Sequence, residues 1–167
     1  NNKGITYAEL SDQENALKNF LEALRISESS DDRLNIAKTR GNLGGLYASM
    51  RNFNDALKEL NASLVIFEEE GDKEQVANTI NNIGEVYKLQ EKLDEALHFH
   101  LEALNIRRKL NKPKTIAISL ANVCALNNIK RDYTNAIFYL KQALELLDPK
   151  FDKLTLLAVY GNIADSY

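Results

Sequence analysis

Apolar residues recur along this chain with the spacing of amphipathic α-helices. Leu57, Leu60, Leu64 and Phe67 step by three, four and three residues, which places all four on one face of a helix. The same pattern, followed from end to end, predicts helices at 1–9, 14–28, 33–50, 54–69, 73–90, 94–110, 113–130, 134–147 and 152–167. The sequence therefore predicts an all-α protein.

The pattern repeats every 40 residues. The segment that starts at Asn42, Asn-Leu-Gly-Gly-Leu-Tyr, returns at Asn82 as Asn-Ile-Gly-Glu-Val-Tyr and returns in weaker form at Asn122. Alanines keep the same phase in the second helix of each unit, at Ala56 and Ala96. Each period thus contains two helices, A and then B, which form a helical hairpin. Such hairpins bury a continuous core only when they stack on one another.

Turn-forming residues fall between the predicted helices. Asp31, Gly71 and Asn111 follow the B helices, and all three residue types tolerate the left-handed conformation that ends many helices. We expect the aspartates that come next in phase to cap the following helices through their carboxylates, at Asp32, Asp72 and Asp152. Pro113 suits the first turn of a helix, where its missing N–H costs nothing.

The repeat organises the chain as one array. We predict a partial repeat at 1–32, full repeats at 33–72, 73–112 and 113–151, and helix A of a truncated repeat at 152–167. Because both ends fall within a helix A, we expect a fragment of a longer protein, or an array whose remainder is disordered. Leu154, Leu157 and Ile163 have no following helix to cover them, which predicts self-association through the open C-terminal helix.

The residues in equivalent positions resemble the tetratricopeptide repeat. That family places an apolar residue, a small residue and a tyrosine on helix A, then alanine, a large apolar residue and alanine on helix B. The repeat at 33–72 has Leu43, Gly44, Tyr47, Ala56, Leu60 and Ser63 there, and later repeats depart from the pattern at His100, Cys124 and Asn127. A period of 40, instead of roughly 34, resembles kinesin light chains, Pins-type adaptors and Rap-type bacterial regulators.

The resemblance implies a right-handed superhelical solenoid of stacked antiparallel helix pairs with a concave groove. The groove would be lined by the helix A stripe opposite Leu43, Gly44 and Tyr47. The side chains of this stripe are small and leave the groove open in one repeat, and they are polar in the next. They are largely apolar in the third, at Ile118, Ala121 and Ala125. The candidate ligand-binding residues are Lys38, Asn42, Asn78, Asn81, Asn82, Glu85, Lys88, Asn122, Asn128 and Asp165.

Five asparagines keep the 40-residue phase: Asn2, Asn42, Asn82, Asn122 and Asn162. An amide both donates and accepts hydrogen bonds, so these side chains could tie one repeat to the next or clamp a peptide backbone. Their recurrence in every repeat favours the structural interpretation, and ligand contact stays the alternative. The peptide-clamping asparagine that the family places after the small residue is absent, which argues against binding of a terminal carboxylate.

Composition limits the chemistry that the chain can perform. A net charge of −3 argues against a bulk electrostatic grip on nucleic acid or on an anionic membrane. One cysteine and two histidines are too few for a Cys/His zinc site, and we predict no metal and no cofactor. We expect His98 on the surface, His100 and Cys124 in the core, and Arg107, Arg108 and Lys109 in a solvated basic patch that could alternatively contact an acidic partner.

These observations predict a non-catalytic module that binds a protein or peptide, as the recognition or sensor part of a larger regulatory or signalling protein. The alternative is a structural scaffold that assembles by end-to-end stacking. We predict no enzymatic activity, no nucleic-acid partner and no membrane partner. A single unpaired cysteine fits a cytoplasmic location, and a periplasmic or extracytoplasmic location stays open as the alternative.

Overall fold

A computed structural model describes residues 13–147 together with Asp152 and Leu157. Within these residues the chain forms seven helices: α1 (Gln13–Ser29), α2 (Arg33–Ser49), α3 (Phe53–Glu69), α4 (Lys73–Leu89), α5 (Leu93–Lys109), α6 (Pro113–Ile129) and α7 (Tyr133–Glu145). The predicted bounds of these helices are confirmed to within two residues. The predicted helices at 1–9 and 152–167 lie outside the described residues, apart from Asp152 and Leu157.

Each helix from α1 to α6 is followed by a tight turn that contains one left-handed residue. After α2, the Asn52 N–H donates to the Tyr47 carbonyl at 2.9 Å and the Arg51 N–H donates to the Ala48 carbonyl at 3.0 Å. This pair of bonds is the Schellman motif, which requires a left-handed residue just past the helix. The positive-φ residues at the six turns are Asp31, Arg51, Gly71, Glu91, Asn111 and Arg131. Those after the B helices were predicted from residue type, whereas Arg51, Glu91 and Arg131 were missed.

Aspartates start three of the helices. Asp32 accepts from the Asn35 N–H and Asp72 accepts from the Gln75 N–H, each at 3.1 Å, as predicted. Asp132, which the sequence analysis did not single out, caps α7 in the same way. Pro113 lies at the first position of α6, as predicted. The residues that Asp152 would cap are outside the described range.

Small residues allow the helices of a pair to approach closely. A Cβ added to Gly44 would lie 2.6 Å from Leu60 Cγ, and one added to Gly84 would lie 3.1 Å from His100 Nε2. Ala56 and Ala96, on the facing B helices, are fully buried. These positions are therefore the points where larger side chains would push the helices apart.

The helices stack in chain order into an all-α repeat superhelix. From α1 to α7, consecutive helices pack against each other, and α2 also contacts α4 directly. The A helices therefore lie side by side and form one face of the array, with the B helices behind them. None of the helices in residues 13–147 combines the length and the hydropathy that crossing a bilayer would require.

Candidate functional site

The face formed by the A helices is open between α2 and α4. A cavity of about 280 Å³ lies there, over Phe67 of α3, which is only 2% exposed. The structure brings four predicted site residues to this cavity: Lys38, Asn42, Asn78 and Asn82. Its other lining residues are Gly41, Ser63, Phe67, Gln75 and Thr79. We call this space, with these nine residues, the α2–α4 cavity.

Two glycines leave the wall of α2 bare at this face. A Cβ at Gly41 would lie 3.5 Å from Ser63 Oγ, an ordinary contact distance, and a Cβ at Gly45 would have no neighbour within 4 Å. The small Ser63 contributes to the same opening, and its hydroxyl donates to the Ala37 carbonyl at 2.8 Å. Small side chains on α2 and α3 therefore contribute to this opening.

One repeat further on, polar side chains contact one another across the helices. Asn122 Nδ2 of α6 donates to Asn81 Oδ1 of α4 at 2.9 Å, and His100 Nδ1 of α5 lies 3.1 Å from the same oxygen. His100 Nε2 lies 3.3 Å from Glu85 Oε1, and Glu85 also pairs with Lys88. We call these five residues the polar chain. It connects three helices, so it stabilises the array as well as lining the face.

The electrostatics of the polar chain centre on Glu85. Burial raises the pKa of this carboxyl, but its polar contacts with His100 and Lys88 outweigh burial and bring the pKa from 4.5 down to about 2. The contact at 3.3 Å between Glu85 Oε1 and His100 Nε2 lacks the geometry of a directed hydrogen bond. Glu85 therefore carries a negative charge beside a ring that is 1% exposed.

The expectation that Arg107 belongs to a solvated basic patch is wrong. Its side chain is 8% exposed and reaches between α4 and α6, where Nη2 donates to Asn78 Oδ1 at 2.8 Å and Nη1 donates to Ser119 Oγ. Desolvation lowers the pKa of the Arg107 guanidinium, and the charge of Glu74 opposes this effect. The neighbouring Arg108 and Lys109 are exposed, as expected.

The phased asparagines divide between the two interpretations. Asn122 ties α6 to α4, which is the structural role. Asn42 and Asn82 line the α2–α4 cavity, where a ligand could contact them. Asn2 and Asn162 lie outside the described residues. The recurrence of one residue type therefore does not imply one role.

The third stretch of the predicted groove is less open than the sequence suggested. Ala121 and Ala125 are buried, so they offer little surface to a ligand, whereas Ile118 and Asn128 are half-buried. Asp165, the last predicted site residue, lies outside the described range. This stretch of α6 therefore exposes little apolar surface to a ligand.

Other reactive groups occupy the positions that the sequence predicted. Cys124 is buried, and burial raises the pKa of its thiol, which fits a packing role. His98 is exposed and His100 is buried. Within residues 13–147, Asp152 and Leu157, no three His, Cys, Asp or Glu side chains come together in a way that could hold a metal ion.

The polar residues of this face that sequence reasoning missed include Gln75, Thr79, Ser119 and Arg107. A signal for Arg107 was present, because the residues 40 positions before and after it are Phe67 and Leu147. A charged residue at a position that is otherwise apolar marks either a buried charge or a departure from the fold. Gln75 and Ser119 gave no comparable signal.

Three solved structures share this fold. BtubC from P. vanneervenii is 22% identical, with a TM-score of 0.76 over 86% of this chain and 59% of its own. A Rap protein in complex with Competence and Sporulation Factor is 12% identical, with a TM-score of 0.85 over 98% of this chain and 49% of its own. A putative kinesin light chain of Podospora anserina is 13% identical, with a TM-score of 0.76 over 98% of this chain and 82% of its own.

At these identities the likeness establishes the fold alone, and this chain spans only 59% and 49% of the length of the first two structures. A search of the curated proteins gave no match. The family model for the tetratricopeptide repeat matches residues 1–64 and 35–109, which together cover more than half of the chain. With its phased helix pairs and its Gly44–Leu60 contact, the chain belongs to the tetratricopeptide repeat family.

Proposed function

We propose that this chain is a non-catalytic recognition module that binds a peptide segment of a partner along the face formed by α2, α4 and α6. It would serve as the recognition or sensor part of a larger regulatory or signalling protein, in the cytoplasm. The repeats of this family typically mediate protein–protein interaction, which supports the general class. The alternative, a scaffold assembled end to end through residues 152–167, stays a prediction.

The observation that carries this proposal is the α2–α4 cavity. Its volume of about 280 Å³ would admit one or two side chains of a peptide, and its rim carries amides at Asn42, Gln75, Asn78 and Asn82. Amides can donate to peptide carbonyls and accept from peptide N–H groups, which are present in every sequence. Lys38 adds one positive charge at the rim, which favours a ligand with an acidic or carbonyl-rich segment.

A matched pair of substitutions at Gly41 tests the proposal. Gly41→Ala adds only a Cβ, for which there is room, and should strengthen α2 because glycine is unfavourable inside a helix. Gly41→Phe would project a ring into the cavity from the same position. Peptides selected from a library of short random sequences on the wild-type chain should bind Gly41→Ala normally and lose at least about tenfold in affinity for Gly41→Phe.

A control on the opposite side of the array completes the experiment. Lys58 is exposed on α3, outside the α2–α4 cavity, and Lys58→Glu should leave peptide affinity unchanged. Circular dichroism would show that all variants remain helical. Peptides that bind Gly41→Phe as well as the wild type, or that respond to Lys58→Glu instead, would contradict the proposal.

A further inference from the structure

The α4–α6 interval has a charged residue where the α2–α4 interval has an aromatic ring. Arg107 follows Phe67 by one period of 40 residues and occupies the equivalent position near the end of a B helix. Phe67 lies beneath the α2–α4 cavity, so the equivalent position places Arg107 beneath the space between α4 and α6. Its hydrogen bonds to Asn78 of α4 and Ser119 of α6 show that it reaches both helices.

The charge of Arg107 has no direct counter-ion. Among residues 13–147, Asp152 and Leu157, every carboxylate lies more than 4 Å from its guanidinium, since no ion pair forms there. Glu74 acts on Arg107 only over a distance, because its own ion pair is with Lys112. Both hydrogen-bond acceptors of Arg107 are neutral. Burying nine-tenths of a cation without an anion beside it lowers the stability of the folded chain, unless another group compensates the charge.

The guanidinium also has unused hydrogen-bonding capacity. It carries five N–H groups in a fixed fork, and two of them are used by Asn78 and Ser119. Nε makes no hydrogen bond in the described structure, yet it is not among the polar atoms that are fully buried without a partner. This edge of the fork is therefore not completely enclosed by the described residues. Paired N–H groups of this kind match the two oxygens of a carboxylate.

We propose that Arg107 is an anchoring residue that binds a carboxylate of the peptide held between α4 and α6. This inference rests on the proposed function and deepens it, because it specifies acidic ligands. The carboxylate could belong to an Asp or Glu side chain or to a peptide C-terminus. Asn78 and Ser119 would hold the guanidinium in position, so the ligand would meet a fixed fork and not a mobile side chain.

Three peptide pools of identical length distinguish these sources. All are random and free of Asp and Glu, except that the first has Glu at one central position and an amidated C-terminus. The second has Gln at that position and the same amide, and the third has Gln with a free C-terminal carboxylate. The wild-type chain should retain the first or the third pool at least about tenfold better than the second, and the pool retained identifies the source.

Variants assign the preference to Arg107. Arg107→Gln should bind the three pools equally, and Arg107→Lys should recover part of the preference, because lysine keeps the charge but loses the fork. Arg108→Gln is the matched control, since Arg108 is exposed and donates to Gln142 at 2.8 Å. A preference that survives Arg107→Gln, or that Arg108→Gln abolishes, would overturn the proposal.

A second measurement reports on the guanidinium itself. The Arg107 Nε–H signal in a nitrogen-15 spectrum should shift saturably with N-acetyl-glutamate N-methylamide where the first pool is retained, or with N-acetyl-glutamine, which has a free α-carboxylate, where the third pool is retained. It should not shift with N-acetyl-glutamine N-methylamide, which has no carboxylate. The absence of a saturable shift would overturn the proposal even where peptides bind. Equal retention of all three pools would refute the role of Arg107 while leaving peptide binding intact, whereas no retention of any pool would refute both.

Discussion

The two described intervals of the A-helix face have helices in the same phase but differ in the side chains beneath and between those helices. Between α2 and α4, glycines leave a cavity above Phe67. Between α4 and α6, the equivalent ring is replaced by Arg107, and the adjoining side chains form the polar chain. The helices begin and end in phase in both intervals. The repeat therefore fixes the position of each helix and leaves the character of each interval to a few residues.

The comparison also shows how a core position can accept a charge. Around Phe67, the residue equivalent to Asn78 is Lys38, which has no hydrogen-bond acceptor on its side chain. Around Arg107, both neighbouring A helices supply an acceptor, Asn78 Oδ1 and Ser119 Oγ. The phenylalanine and the arginine are thus each matched to their neighbours, and exchanging them should have unequal effects.

The largest expected effect is that of Phe67→Arg. It would remove a buried ring, which costs about 3–5 kcal/mol when phenylalanine is truncated, and would place a cation beside Lys38. Arg107→Phe removes a buried cation and restores the ring of the neighbouring repeat, so we expect a change in unfolding free energy within about 1 kcal/mol. Urea denaturation monitored by circular dichroism measures both values.

The double variant that exchanges the two residues sharpens this prediction. If each residue acts only within its own interval, the double variant should change the unfolding free energy by the sum of the two single effects, to within about 0.5 kcal/mol. If Arg107→Phe lowered the unfolding free energy as much as Phe67→Arg, the two residues would not be matched to their neighbours as the comparison requires.

The next largest effect on stability is expected at Gly44 and Gly84, where the two helices of a pair approach each other closely. In Gly44→Ala the new Cβ would meet Leu60 Cγ at 2.6 Å and the Ala56 carbonyl oxygen at 3.1 Å, and the backbone oxygen cannot move aside. We expect a loss of about 1–3 kcal/mol. In Gly84→Ala the contacts are 3.1–3.2 Å to the His100 ring, which can shift slightly, so the gain in helix propensity should offset most of the cost.

Gly45→Ala is the control for both glycine variants. Its Cβ would have no neighbour within 4 Å, so it should stabilise the chain by about 0.5–1 kcal/mol through helix propensity alone. Thermal and urea unfolding of the three variants in the same buffer give the order of their stabilities. Gly84→Ala being as destabilised as Gly44→Ala would show that His100 is held as rigidly as Leu60.

Much of the fold could be predicted from the sequence because its information is local and repeated. Helix bounds follow from apolar spacing, and each copy of the repeat confirms the phase of the others. The left-handed turns at Arg51, Glu91 and Arg131 could not be predicted from residue type, because arginine and glutamate do not favour this conformation. Backbone hydrogen bonds to the end of the preceding helix accompany it in all three turns. Long side chains tolerate it there since they are exposed.

The candidate site was only partly predictable, because its character depends on which distant residues meet. Asn81, Glu85, Lys88 and Asn122 were predicted as separate lining residues, and the structure joins them through His100. The burial of Arg107 required an acceptor 29 residues before it and another 12 residues after it. A helical wheel places a residue on a face of its own helix but says nothing of the helices opposite.

The smallest predicted effect tests the polar chain through pH. The pKa of Glu85 is about 2 in the folded chain against 4.5 for an unperturbed carboxyl, so its ionised form stabilises the fold. This stabilisation is fully present above the unfolded pKa and is lost as the pH falls from about 4.5 through about 2. Because the Glu85 side chain is 35% exposed, screening by water reduces the expected contribution to about 1 kcal/mol.

Glu85→Gln isolates this contribution from the other carboxyls, because the amide keeps the shape but does not titrate. Asp32 and Asp132 also have lowered pKa values, because they accept hydrogen bonds from Asn35 and Asn135. Protonation of these two carboxylates in acid should destabilise the wild type and the variant equally. The wild type should therefore be more stable than Glu85→Gln near neutral pH, and the difference should shrink towards zero near pH 2. A difference that stays constant with pH would mean that the contacts of Glu85 with His100 and Lys88 do not depend on its charge.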